Sequence, residues 1–167
     1  MDLDLTPAEQ AWKRKAKDFA EEWLFPNELE LELTGSLPRA TKDRLRAAVV
    51  EHGLNGINHA RDVGGQGCTQ VEQTLINEEL GRATGALWAA VWHPALPLRD
   101  GSPDQIRDFL VPSCLGRRRA CVAITEPDAG SDTGRIVTRA ERHGDRFRIT
   151  GEKWFVTTGD EADYVIV

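Results

Sequence analysis

The densest run of chemistry-bearing side chains is Ala123-Ile-Thr-Glu-Pro-Asp-Ala-Gly-Ser-Asp132, where an apolar stretch gives way to small and acidic residues. Thr125, Gly130 and Ser131 leave room for a ligand to approach the backbone. A glycine followed by a serine offers amide N–H groups and a hydroxyl, which can hold phosphate oxygens without strong positive charge. Read as an ordinary loop, the same run has Glu126, Asp128 and Asp132 capping neighbouring amides, and spacing alone favours that reading. Glu126 has the chemistry of a general base, yet a carboxylate next to Pro127 in a tight loop is as well suited to bracing it.

A second cluster is Lys153-Trp-Phe-Val-Thr-Thr158. Read as a strand, it puts Phe155 and Thr157 on one face and Trp154 and Val156 on the other. An aromatic ring beside a hydroxyl suits a planar heteroaromatic ligand, although a core Phe155 and a surface Thr157 are the favoured reading from pattern alone. Val63-Gly64-Gly65-Gln66-Gly67 has a G-x-G before a helix but no preceding strand and no third glycine of the dinucleotide pattern, so it reads as a structural turn. Arg117-Arg118-Arg119 reads as a solvated corner, with contact to a coenzyme phosphate the weaker reading. No G-x-S-x-G is present, and the four histidines never fall at i, i+4 around a carboxylate, so neither a nucleophile elbow nor a zinc helix can be drawn. Cys68, Cys114 and Cys121 form no CxxC pair and read as free thiols.

The elements that must position these clusters change character along the chain. Three helix starts carry a Ser or Thr with Glu or Gln three residues on: Thr6 with Glu9, Thr69 with Glu72, and Ser102 with Gln105. The first helix buries a face running from Trp12 through Ala16, Phe19 and Ala20 to Leu24, and Pro26 is expected to close it. A polar connection from Asn27 to Pro38 leads to a helix with Leu45, Ala48 and Val49 on one face, ended by Gly53. A third helix carries Val71, Leu75, Ile76 and Leu80. The uncharged run Ala86–Trp92 predicts a fourth, central helix, and Ile106, Phe109 and Leu110 a fifth that Pro112 stops. Near residue 118 the period becomes alternating: a strand at 120–124, a hairpin of 136–140 with 146–150 about His143-Gly144-Asp145, and strands at 153–157 and 163–167. The expectation is an α+β chain, mainly α, with an all-α helical domain at 1–117 and a partial antiparallel β-domain at 118–167.

Composition bounds the function. Across 167 residues, 21 Lys and Arg against 27 Asp and Glu give a net charge of -6, which argues against a nucleic-acid partner. A 40% hydrophobic content supplies a core. The longest apolar run, Ala86–Trp92, is far short of the roughly 20 residues of a membrane span. The start Met1-Asp-Leu-Asp-Leu5 is acidic rather than basic, so the reading is cytoplasmic. Tyr164-Val-Ile-Val167 is an apolar strand with no polar tail after it, from which the sequence reading expects a C-terminal region or a second chain to cover it.

Taken in order, Ile124-Thr-Glu-Pro-Asp-Ala-Gly-Ser-Asp132, Gly144-Asp145, Thr150-Gly-Glu-Lys153 and Phe155-Val-Thr157 resemble the acyl-CoA dehydrogenase family. Val63-Gly64-Gly65 and Glu78-Glu-Leu-Gly-Arg82 add weaker support. The resemblance implies an N-terminal helical domain and the beginning of a β-domain, with the C-terminal four-helix domain absent. It implies FAD as cofactor, with Val122, Ala123, Ile124, Thr125, Gly130, Ser131, Phe155, Val156 and Thr157 as its neighbours. Thr157 would lie near flavin N5, and Ser131 near both the pyrophosphate and the substrate, an acyl-CoA or related acyl thioester. The family's glutamate base belongs to the C-terminal region, so no residue here is assigned to catalysis, and none to a metal. The implied function is the N-terminal part or subunit of an FAD-dependent acyl-CoA dehydrogenase that carries out α,β-dehydrogenation of an acyl thioester, inactive without the missing C-terminal region; the implied partners are a complementary chain, that missing region or a homo-oligomer. The alternative is a non-catalytic interaction module that keeps the fold.

Overall fold

Helix α1 (Pro7–Phe19) begins with a complete capping box: the Thr6 amide donates to Glu9 Oε2 at 2.7 Å, and the Glu9 amide to Thr6 Oγ1 at 3.3 Å. Two otherwise orphaned amides are thereby satisfied, and Pro7 occupies the first turn, where its missing N–H costs nothing. The same device opens α4 (Gln70–Leu80) through Thr69 and Glu72, and α5 (Pro103–Gln105) through Ser102 and Gln105. The computed structural model describes residues 4–167, so the acidic start Met1-Asp2-Leu3 lies outside it.

Pro26 does not close the first helix. Ala20–Leu24 forms a π turn, with the Phe25 amide bonded to Ala20 O. A 3-10 turn (Phe25–Asn27) then carries the backbone into α2 (Glu28–Thr34). Pro112 behaves alike: a π turn at Ile106–Leu110 ends with the Val111 amide on Ile106 O, and α6 (Val111–Cys114) follows. The wider turn moves the i−4 carbonyl off the proline ring, so helical backbone passes where a regular α-helix would be blocked. Helix α2 escapes the pattern reading because Glu-Leu-Glu-Leu-Glu-Leu alternates with period two, and its Leu29 and Leu33 face solvent.

α3 (Arg39–Glu51) buries Leu45, Ala48 and Val49, and the chain turns at Gly53 with φ +60°. These side chains meet Ala16, Phe19, Ala20 and Leu24 of the first helical path, Ile76 and Leu80 of α4, and Leu54 and Ile57 in one buried cluster. Val71 at the start of α4 stays exposed. The run Ala86–Trp92 is not a central helix but a single 3-10 turn, Leu87–Ala90, entered through positive φ at Gly85 and Ala86. It buries Leu87 and Val91 and leaves Trp88 outside. Two left-handed residues at its start and Pro94 just beyond leave no length for cooperative α-helix.

The Gly64–Gly67 turn is structural. A Cβ on Gly65 would overlap the His59 carbonyl and stand 2.8 Å from Ala60 O. No helix among the described residues is long and apolar enough to cross a membrane.

Contacts divide the chain into two units, residues up to Arg118 and Arg119–Val167. In the second unit, β1 (Ala120–Val122) pairs with β4 (Tyr164–Ile166), while β2 (Arg139–His143) pairs with β3 (Arg146–Thr150) around Gly144-Asp145. The mainly helical α+β class stands, with one amendment: the β2–β3 hairpin is antiparallel but β1 and β4 run parallel, Cys121 opposite Val165. The hairpin begins later than its alternation suggests, because the amides of Val137 and Thr138 are drawn to a carboxylate instead of a neighbouring strand. The 153–157 stretch is not a strand, for reasons that belong to the site.

Candidate functional site

Where β1 ends, the Ala123 amide makes a last ladder bond to Ile166 O at 2.8 Å, and the chain turns away. Glu126 and Ala129 exchange backbone bonds of 2.9 and 3.2 Å across Pro127-Asp128, closing a tight turn. Proline fixes φ at the first corner and aspartate suits the second. Beyond it, Gly130 and Ser131 lie exposed, and Asp132 Oδ1 accepts from the Gly134 amide at 3.1 Å. A Cβ built on Gly130 would meet nothing within 4 Å, so that backbone is open to approach.

The Glu126 side chain points inward and is only 3% exposed. Its Oε2 accepts from the Val137 amide at 2.8 Å, and its Oε1 from the Thr138 amide at 3.0 Å and from Lys153 Nζ at 2.8 Å. Lys153 Nζ also donates to Ile124 O at 2.9 Å, and the Trp154 amide donates to Thr125 O at 2.8 Å. The two clusters that stand about 25 residues apart in sequence are thus tied together by one carboxylate, one ammonium and one backbone bond. The Lys153 ammonium first, then the groups of Thr138 and Val137, hold Glu126 down at about 2 against an ordinary 4.5. A carboxylate held by three donors, one of them an ammonium, is a brace; its proton affinity is too low for general base work at neutral pH.

Gly151 makes the closure possible: a Cβ there would overlap Thr138 Oγ1 and lie 2.6 Å from Thr138 Cβ. Immediately after the clasp the backbone leaves the extended region. Phe155 adopts φ +54° and Thr158 φ +57°. For a bulky and a β-branched residue these are costly conformations, and one of them at position 155 destroys the period-two alternation of a strand. Phe155 consequently does not enter the core. It is 84% exposed, and it meets Trp154 edge-on with ring centroids 5.8 Å apart. Trp154 is itself pinned by its indole N–H to Glu152 Oε1 at 2.6 Å.

Thr125 and Thr157 lie in the two tied segments, and the amides of Thr125, Phe155, Val156 and Thr157 donate to nothing among the described residues. Gly130 and Ser131 likewise keep free amides. The Thr158 hydroxyl is buried without a partner among the described residues. Val122 and Ile124 expose apolar side chains and Ala123 is buried. Strained backbone held by a surrounding network, free amides and an exposed aromatic together describe a surface prepared for a flat ligand with hydrogen-bonding edges. Of the residues expected beside the cofactor, Ala123 and Ile124 also line a groove of about 310 Å³ formed with Ile136, Ala140, Ile149, Lys153 and Val167. Sequence reasoning assigned no role to Lys153, Val137 or Thr138. The signal that could have found them is weak: a glycine two residues before a lysine, far from the carboxylate they enclose.

In the basic run 117–119, Arg117 is exposed while Arg118 and Arg119 are anchored. Arg118 Nη1 donates to Asp108 O at 2.8 Å and its guanidinium lies over Phe109, whereas Arg119 pairs with Glu161 at 3.3 Å. Cys114 and Cys121 are buried thiols and Cys68 is partly buried. Burial pushes Cys68 and Cys114 up to about 11, so neither is poised as a nucleophile.

Residues 6–117 match the family model described as acyl-CoA dehydrogenase, N-terminal domain, and residues 121–167 that described as acyl-CoA dehydrogenase, middle domain. The protein named "Probable acyl-CoA dehydrogenase YngJ" of Bacillus subtilis (strain 168) is 34% identical over 172 aligned positions, covering 100% of this chain and 44% of the relative. The structure of butyryl-CoA dehydrogenase from Megasphaera elsdenii superposes with a TM-score of 0.82 at 29% identity, over 99% of this chain and 45% of that one. An acyl-CoA dehydrogenase from Bacillus anthracis, complexed with FAD, gives 0.83 at 28% identity, over 98% of this chain and 29% of that one. The chain therefore spans less than half the length of these relatives.

Proposed function

The chain belongs to the acyl-CoA dehydrogenase family, and from that premise we propose that it supplies the flavin side of an FAD-dependent acyl-CoA dehydrogenase active site. The whole enzyme would introduce an α,β double bond into an acyl thioester, in fatty acid metabolism and in the cytoplasm. The glutamate base that family members use lies in their C-terminal region, which a longer chain or a complementary chain would contribute; a homo-oligomer would supply neighbours but not that base. Without it this chain is inactive.

The observation that carries the reading is the strip of unpaired amides and exposed aromatic surface at Thr125 and Phe155–Thr157, locked beside the open Gly130-Ser131 turn. Such a strip fits FAD, which has a planar ring bordered by acceptors and a pyrophosphate that accepts from amides. Val122, Ala123, Ile124 and Thr125 would border the ring from one segment, and Phe155, Val156 and Thr157 from the other. Thr157 would offer its hydroxyl to the N5 edge. Gly130 and Ser131 would receive the pyrophosphate, with the Ser131 hydroxyl also reaching the thioester substrate. When bound, FAD supplies the electron sink for the hydride that leaves the β carbon. The chain's own residues bind, orient and hydrogen-bond; none of them moves the α proton.

The test is the visible spectrum of the purified chain, with any released cofactor identified, followed by titration with FAD. Saturable FAD binding that weakens in Ser131→Ala and Thr157→Val, both exposed positions, supports the reading. Equal binding by these variants and the parent, or no binding even with the C-terminal region of a family member added, overturns it.

A further inference from the structure

Glu126 and Lys153 are not among the residues assigned above to FAD, yet their bonds hold the segments that carry those residues. The carboxylate gathers donors from two separate places, the 137–138 amides and the 153 ammonium. The ammonium in turn takes the Ile124 carbonyl, so it is shared between the start of one flavin-side segment and the carboxylate of the same turn. Lys153 is 13% exposed and Glu126 2% by side chain, which shields the pair from water. Its own segment then enters the left-handed conformation at Phe155 two residues later. A bulky residue keeps such a φ only where neighbours over-determine it. The Lys153 bonds and the Trp154–Thr125 bond are the constraints immediately before it.

We propose that Glu126 and Lys153 are positioning residues, a buried clasp that fixes segment 153–157 against 124–126 and thereby sets the free amides and the Phe155 ring in the arrangement the cofactor meets. That the arrangement serves FAD rests on the function proposed above; that the clasp sets it does not. The hairpin β2–β3 is held by its own ladder around Gly144, and the bonds of the clasp fall at residues 137, 138 and 153, outside that ladder. A merely structural ion pair would loosen the hairpin and the flavin-side segments together, whereas a positioning pair loosens only the second.

The test uses the full chain and Glu126→Gln, Lys153→Met and Lys153→Arg. Amide exchange followed by NMR reads the Trp154 amide, bonded to Thr125 O, against Glu141 and Arg148 of the hairpin. FAD fluorescence titration reads the consequence. In Glu126→Gln and Lys153→Met, Trp154 exchange should rise by about tenfold or more, the least expected from losing a charge-assisted bond, with the hairpin amides unchanged. FAD affinity should fall by a similar factor, and Lys153→Arg should restore part of both. Unchanged Trp154 exchange overturns the proposal, as does loss of protection spread equally over the hairpin. If the parent chain binds FAD and the variants bind it equally well, the clasp proposal fails while the flavin reading stands. If the parent binds no FAD, the flavin reading fails for this chain, and the exchange data alone decide the clasp.

Discussion

Replacing Phe155 by glycine separates a residue kept for packing from one kept for a ligand. A side chain of this size in a core would be lost at about 3–5 kcal/mol. Phe155 is 84% exposed, so little burial is at stake. Its φ of +54° costs an L-residue roughly 1–2 kcal/mol, which glycine recovers. Against that stand about 0.5–1 kcal/mol for the greater freedom of glycine in the unfolded chain, and about 0.5–1.5 kcal/mol for the edge-on Trp154 contact. The three contributions leave the second unit within about 1.5 kcal/mol of its parent stability. FAD affinity should nevertheless fall by about 1–3 kcal/mol, the range for a base stacked on an aromatic side chain, or roughly 5- to 150-fold. Urea unfolding followed at the Trp154 indole resonance gives the first quantity, and flavin fluorescence titration the second. A stability loss of about 3 kcal/mol or more would show that Phe155 is packed as a core residue. Undiminished FAD binding would refute its role as an aromatic wall.

Further outcomes follow from the same geometry. Because Glu126 is held at about 2 against an ordinary 4.5, its stabilisation is complete above the unfolded value and disappears as pH falls from there toward 2. Acid unfolding of residues 119–167, followed by circular dichroism, should carry a component in that window that Glu126→Gln lacks; identical acid curves would contradict it. Thr69→Ala removes one half of the α4 capping box and should cost about 1 kcal/mol in urea denaturation, with 0.5–2 kcal/mol the range for such caps. Gly65→Ala drives a Cβ into the His59 and Ala60 carbonyls and should destabilise the helical unit by roughly 2–3 kcal/mol or more. A neutral Gly65→Ala would mean that this turn is not closely packed.

What was legible in the sequence and what was not divide by range. The three capping boxes, the buried faces of α1 and α3, and the Gly144 corner of the hairpin are written within four residues of where they act. The prolines at 26 and 112 misled because their effect depends on how the preceding turn bonds, and a π turn is not encoded by any nearby spacing. The alternation of Lys153–Thr157 misled for a different reason: local preference for strand was overridden when Lys153 was drawn to Glu126 and Phe155 was turned left-handed.

The sequence by itself determined the helical-then-strand order, the three capped helix starts, and a series of motifs specific enough to point to a family. Residue type and short spacing are sufficient for those, since caps and turns are satisfied by neighbours along the chain. Tertiary structure alone decided that Glu126 is a brace rather than a base, that β4 lies parallel to β1, and that Phe155 faces outward. Each of these depends on groups tens of residues apart meeting: two strands along one ladder, and a buried carboxylate that must find its donors while the backbone bends to bring them.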